Sequence, residues 1–155
     1  MKKMRRTLLF LLIIGPVFAN GGRDITDGCD LPDSDTVGYL HLTSEGSVLY
    51  KSHYDIGGFQ FNVDGASPTS ASGGDAGAAD MMMQANASTN IVLGFSLTGS
   101  VVPAGCGTLI ELDLTGDATG LSNIVMSDAF GNQIDFTYFS SDGDVSPELF
   151  QFNLS

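Results

Sequence analysis

An all-β fold, an antiparallel sandwich of the jelly-roll type, is what the sequence predicts. Three observations carry it. Apolar residues recur at every second position in short runs, turn residues separate those runs, and no run keeps a 3.6-residue period beyond about ten residues. Glycine supplies 20 of the 155 residues and charged side chains 15%. That is too much glycine for a helical bundle and too little charge for a disordered chain. The length suits one domain after any targeting segment is removed.

Residues 1–19 read as such a segment. Lys2, Lys3, Arg5 and Arg6 precede an unbroken apolar stretch, Leu8-Leu9-Phe10-Leu11-Leu12-Ile13-Ile14, which Gly15-Pro16 closes. Val17 and Ala19 stand at the positions a signal peptidase reads, so cleavage is expected after Ala19. The apolar stretch is shorter than the roughly 20 residues that span a bilayer, so the expected mature chain is secreted or held at the cell surface with no membrane insertion. Cys29 lies too far beyond it for a lipoprotein anchor.

Removing residues 1–19 sharpens the charge. The whole chain has six basic and 18 acidic side chains, a formal net charge of −12. Four of the six basic residues leave with the signal, and Arg23 and Lys51 remain against all 18 acids, a formal −16. A chain of this sign does not bind a polyphosphate backbone through its own charge, which excludes nucleic acid as a partner. Anionic lipid is disfavoured for the same reason.

Residues 20–36 form an acidic leader rich in Gly and Asp, with Asp24, Asp27, Asp30, Asp33 and Asp35 spaced along it. It reads as extended, with turns. Cys29 in the leader and Cys106 are the two cysteines of the chain. Outside the cell an even count favours a disulfide. Neither cysteine sits in a C-x-x-C or Cys/His metal spacing, so redox and zinc roles are weak.

The sandwich domain is expected over residues 37–155. Residues 37–43 and 47–52 read as a hairpin around the Glu45-Gly46 turn. Residues 56–64 alternate, with Phe59, Phe61 and Val63 on one face. Residues 66–79 are mostly Ala, Ser and Gly and read as a long loop. Residues 80–86 fit a strand or a helical turn. In residues 90–98 the spacing puts Ile91, Leu93, Phe95 and Leu97 on one face, which is taken as the core face. Residues 108–115 and 123–127 read as two strands with Gly116-Asp117 and Gly120 between them. Residues 133–139 follow the Gly131-Asn132 turn, with Ile134, Phe136 and Tyr138 on one side. Residues 148–154 alternate again through Phe150, Phe152 and Leu154. The total is about nine short strands. The last runs straight to Ser155, as an edge strand able to add to a neighbour's sheet would, and as a piece of a longer protein would.

The block Ile56-Gly57-Gly58-Phe59-Gln60-Phe61-Asn62-Val63-Asp64 is followed by Ile91-Val92-Leu93-Gly94-Phe95-Ser96. Val102-Pro103-Ala104-Gly105-Cys106-Gly107-Thr108-Leu109 comes next, and then Asn123-Ile124-Val125-Met126-Ser127-Asp128-Ala129-Phe130-Gly131. Across residues 37–139 this order resembles cohesin-like domains and related secreted modules. It is also similar to repeat modules of long surface proteins of marine bacteria. The resemblance implies a jelly-roll sandwich that makes protein or carbohydrate contacts outside the cell. The leading strands, broken by Glu45-Gly46, and the cysteine pair depart from cellulosomal cohesins, so no binding residue is carried over.

The chemistry within reach is narrow. There are two histidines, His41 and His53. Both fall in or beside the first hairpin and are expected to face outward, and no G-x-S-x-G elbow is present. A glycosidase cleft wants aromatic stacking surfaces, and Trp is absent. Catalysis is therefore not expected. Calcium is the leading ion, because hard cations take carboxylate oxygens. The candidate ligands are the five leader aspartates together with Asp142 and Asp144. No EF-hand spacing supports them, and the plainer reading is a solvated acidic run. Tyr39, Tyr50, Tyr54 and Tyr138 are the candidates for stacking on sugars. Asn86-Ala87-Ser88 and Asn153-Leu154-Ser155 match the N-glycosylation pattern. The expected function is a non-catalytic adhesion or protein-interaction module of a cell surface or extracellular assembly. A carbohydrate-binding module is the alternative, and a glycan-active enzyme comes third.

Overall fold

A computed structural model describes residues 24–141. The signal segment, residues 20–23 of the leader, Asp142, Asp144, Asn153 and the strand expected at 148–154 lie outside the described residues. A 3-10 turn at Gly28–Asp30 is followed by β1 (Gly38–Leu42), β2 (Ser47–Ser52) and β3 (Gly58–Ser72). Then come α1 (Gly74–Ala78), β4 (Met82–Asn86), β5 (Ile91–Phe95), β6 (Gly105–Ser127), β7 (Gln133–Ile134) and β8 (Phe136–Tyr138). The strands form one eight-stranded sheet in the order β4-β5-β3-β6-β2-β1-β8, with β7 on β6.

The β1–β2 hairpin forms as the alternation predicts, with Leu40 opposite Tyr50 and Leu42 opposite Val48. Gly46 closes the turn at φ +100, and a Cβ there would lie 2.3 Å from the Leu112 carbonyl oxygen. Only glycine fits both demands.

β3 and β6 build the frame. They run antiparallel from Gly58↔Ser127 to Ser72↔Glu111, with register shifts at Gln60/Asn62, Asp64/Ala66 and Pro68/Ser70. Such bulges bend a strand pair and raise its twist. The first third of β3 also pairs with β5, and the first part of β6 with β2. The sheet therefore curls on itself around one core. Phe59, Phe61, Val63, Val92 and Met126 share that core with Leu40, Val48, Tyr50, Ile110 and Leu112. Burying each large side chain contributes roughly 1.5–3 kcal/mol.

Five expectations are corrected. Residues 66–79 are not a loop. β3 continues to Ser72 and α1 follows, because the small side chains of this run pair along β6. Pro68, buried, sits where the register with β6 shifts and beyond the end of the β5 pairing at Asn62, the kind of irregular position at which a strand accepts proline. Residues 108–115 and 123–127 are one strand. Gly116 (φ +106) and Gly120 bend β6 without ending it. The described residues hold eight strands, and two of them are long, with 15 and 23 residues. The sheet is mixed, since β8 lies parallel to β1. Residues 133–139 split at Asp135, so that β7 joins β6 and β8 joins β1. Finally, His41 does not face solvent. It is 6% exposed and its Nδ1–H donates to the Phe139 carbonyl at 2.8 Å, which helps hold β8 in place.

β5 corrects the choice of face. Val92 (0% exposed) and Gly94 point inward, opposite Phe61 and Phe59 of β3. The Phe59 ring fills the space a side chain at 94 would need, since a Cβ there would be 2.2 Å from it. The larger Ile91, Leu93 and Phe95 are therefore turned to the outer face, each half-buried.

Candidate functional site

The leader is docked. Cys29 and Cys106 form a disulfide with Cα atoms 4.9 Å apart. Lys51 Nζ donates to the carbonyls of Cys29 (3.1 Å) and Leu31 (2.9 Å) and pairs with Asp33 at 2.6 Å. Gly28 fits where a Cβ would meet the Gly107 and Tyr50 carbonyl oxygens at 2.3 and 2.5 Å. Asp27 accepts from the Cys29 N–H at 2.9 Å and caps the 3-10 turn. Two of the expected calcium ligands, Asp27 and Asp33, thus hold local structure. Asp24, Asp30 and Asp35 are exposed, and no three His, Cys, Asp or Glu side chains gather as a cation set among the described residues.

Two clefts open on the β2–β6 side. One, of about 310 Å³, lies between the leader and β2 and is lined by Asp33, Lys51, Ser52, His53 and Cys106. Its cation is already paired. The Ser52 hydroxyl donates to the Tyr54 carbonyl and accepts from the Tyr54 N–H, so it has no base to activate it. The other, of about 520 Å³, is lined by Glu45, Leu112, Asp113, Leu114 and Asp117. Thr43 and Ser44 add hydroxyls to it, Thr43 Oγ1 accepting from the Ser47 N–H at 3.0 Å, and its lining has no His, Lys or Arg.

The four tyrosines do not make one sugar platform. Tyr50 is 2% exposed and its hydroxyl donates to Asp75 at 2.7 Å. Its ring offers no face to a sugar, because the β1–β2 register turns it into the core. Burial pushes its phenol above the ordinary range, and the Asp75 carboxylate adds to the shift. Tyr39 stands edge-on to Phe139 at 6.2 Å, and Tyr138 stacks on His41 at 6.0 Å. Tyr54 is 43% exposed, with its ring edge-on to exposed His53. Asn86 of the expected glycosylation pattern caps the β4–β5 turn, its side-chain oxygen accepting from the Ser88 and Thr89 N–H groups.

The strongest feature is the outer face of β4, β5, β3 and β6. Cross-strand register lines up Met82, Phe95, Gly58 and Ser127 in one row. Gln84, Leu93, Gln60 and Val125 make the next, and Asn86, Ile91 and Asn62 a third. Ile91, Leu93 and Phe95 run down its middle, with Met82 (45% exposed) and Val125 (48%) beside them. These rows hold amides and small polar groups but no charged side chain.

Two loops leave the sheet at the end of the first row. Gly58 lies between Phe95 and Ser127, so the loops after those residues leave the sheet on either side of it. One presents Leu97 (74% exposed) and the other Phe130 (89%). Both turns are built by a side-chain acceptor. Ser96 Oγ takes the N–H groups of Thr98 (3.1 Å) and Ser100 (2.8 Å). Asp128 Oδ1 takes those of Phe130 (2.8 Å) and Asn132 (2.9 Å), while Asn132 Nδ2 donates to Oδ2 at 3.0 Å. The Asn132 side-chain hydrogen bond, with the backbone donors behind it, holds the Asp128 carboxyl below its usual range. The two most exposed large apolar side chains of the described residues therefore sit on fixed turns. Sequence alternation missed this face by assigning it to the core. The signal that could have found it is Gly94, a position with nothing to bury.

No family model and no curated protein matches the chain. Among solved structures it is similar to a non-cellulosomal cohesin from the hyperthermophilic archaeon Archaeoglobus fulgidus. Identity is 14%, with 66% of this chain and 83% of that one covered, at a TM-score of 0.43. It is also similar to a chain of a type I cohesin–dockerin complex from Clostridium thermocellum, at 9% identity over 71% of this chain and 94% of that one, again with a TM-score of 0.43. Likeness at this level assigns neither family nor partner.

Proposed function

We propose that the chain is a non-catalytic protein-interaction module, acting outside the cell, that docks a protein partner on the outer face of β4, β5, β3 and β6. The observation that carries this is the apolar column Ile91, Leu93 and Phe95, flanked by Met82 and Val125 and continued by Leu97 and Phe130 on fixed turns. A contiguous exposed apolar surface with a polar surround marks an interaction site more often than a chance exposure. Aromatic side chains held in place bind at low entropic cost. The disulfide supports an oxidising compartment. Adhesion to a surface or assembly is the role such a module would serve.

Lys51 is the single Lys or Arg among the described residues, and it is paired. A partner with a neutral or basic rim suits this surface, and where the rim is basic added salt should slow its association.

The test compares capture of proteins from the extracellular fraction of the source cells by the native chain, by Leu93→Glu with Val125→Glu, and by Tyr54→Ala. A specific protein held by the native chain and by Tyr54→Ala, and lost at least tenfold with the double variant, supports the reading. A polysaccharide bound by the native chain, lost with Tyr54→Ala and kept by the double variant, replaces it with the carbohydrate-binding alternative.

A further inference from the structure

Both cysteines of the chain are tied up in the disulfide, and the sequence has no Trp. Methionine thioethers are therefore the groups that a mild oxidant meets first. Four of the six methionines lie among the described residues. Met81 and Met126 are buried, at 5% and 1% exposed. Met83 is half-buried and packs against the core. It stands opposite Gly94 in register, and a Cβ on Gly77 of α1 would lie 3.8 Å from its Cε. Met82 points the other way and is 45% exposed. Alternation along β4 places it on the outer face with Gln84 and Asn86, directly opposite Phe95. The most open thioether of the four thus stands in the first row of the docking face.

We propose that Met82 is an oxidation site, where a hydroperoxide converts the thioether to the sulfoxide and so weakens docking on this face. The step balances without a further reagent. The sulfur lone pair attacks the terminal peroxide oxygen, and the S–O bond forms as the O–O bond breaks. Sulfur gives up two electrons to the peroxide. The proton of the attacked oxygen passes to the leaving oxygen, which departs as water or an alcohol. The product turns a flexible apolar side chain into a polar one, a change that disrupts methionine contacts at interfaces. A docked partner would bury the new S–O dipole beside Phe95, and the water it loses there is not replaced by an apolar contact. Met82 lies outside the core cluster, so the fold itself does not depend on the thioether. The effect on docking rests on the proposed function, whereas the choice of Met82 as the site does not.

The test treats the purified, disulfide-intact chain with graded hydrogen peroxide and follows each methionine by peptide mass spectrometry. Met82 should oxidise roughly tenfold faster than Met81 and Met126, and ahead of Met83. The melting temperature should stay unchanged at the dose that converts Met82. Capture of the protein partner should fall roughly fivefold or more at that dose. Met82→Leu keeps the apolar volume and should hold its capture there, while Met82→Gln should capture weakly with no oxidant added. Met82 oxidising no faster than Met126 overturns the inference. So does a native chain that keeps its partner once Met82 is converted, or a Met82→Leu chain that loses capture as steeply as the native one. A native chain that captures no protein before oxidation counts against the proposed function instead, and the order of oxidation still decides whether Met82 is the site.

Discussion

The two outer faces of this sheet differ in what covers them. On the β2–β6 side the chain covers its own surface. Lys51 and Cys106 sit opposite each other in register and both hold the leader, and Leu31 and Leu49 are buried at 2% and 1% exposed. On the β4–β5–β3–β6 side nothing comparable is present among the described residues. Ile91, Leu93 and Phe95 stay half-buried, and Met82 and Val125 are exposed. Both faces present apolar side chains outward, and one of them has been given a cover by covalent and ionic means. The difference teaches that the open face is not a by-product of a poorly buried sheet.

Breaking the cover is expected to have the largest effect. A disulfide that closes a 77-residue separation stabilises by roughly 4 kcal/mol on the chain-entropy account. The Cys29→Ser, Cys106→Ser double variant should therefore melt far below the native chain while keeping its strand content, as read by circular dichroism. Gly28→Ala comes next. Its Cβ meets backbone oxygens at 2.3 and 2.5 Å, which cannot rotate away, so a loss of roughly 1–3 kcal/mol is expected from chemical denaturation.

The covered half also carries the buried phenol, which gives the comparison a pH axis. The folded-state pKa of Tyr50 is raised by burial and by Asp75. The neutral form is thus favoured in the fold, and its stabilisation is fully present below the ordinary phenol value near ~10 and lost as pH rises beyond it. Tyr50→Phe should flatten the alkaline arm of the stability–pH curve. At neutral pH it costs the Asp75 hydrogen bond. The open half should show the smallest stability effect. Leu93→Glu and Val125→Glu each change an outward position and should move stability by no more than about 1 kcal/mol, while removing partner capture.

Much of the frame was legible in the sequence, and the misses have physical causes. The β1–β2 hairpin, the alternation of Phe59, Phe61 and Val63, and the cysteine pair follow from period and count, which are local signals. The two long strands were hidden by the small-residue run 66–79, which reads as a loop, and by the glycines at 116 and 120, which read as turns; all lie in or beside the β3–β6 pairing. The face of β5 was hidden because Ile91, Leu93 and Phe95 are bulkier than Val92 and Gly94. What decides that face is the Phe59 ring on the next strand, a tertiary fact. The same holds for Tyr50, which is a sugar-stacking candidate by residue type and a core residue by register, and for His41, whose partner is 98 residues away.

Site-specific photo-crosslinking in the source cells tests the central claim most directly. A photo-reactive residue replaces Leu93 on the open face in one chain and exposed Asp30 on the leader in another. A discrete heterologous protein adduct from position 93, absent from position 30, is the predicted result. Adducts of equal strength from both positions, or from position 30 alone, would contradict the claim that the open face is the docking surface.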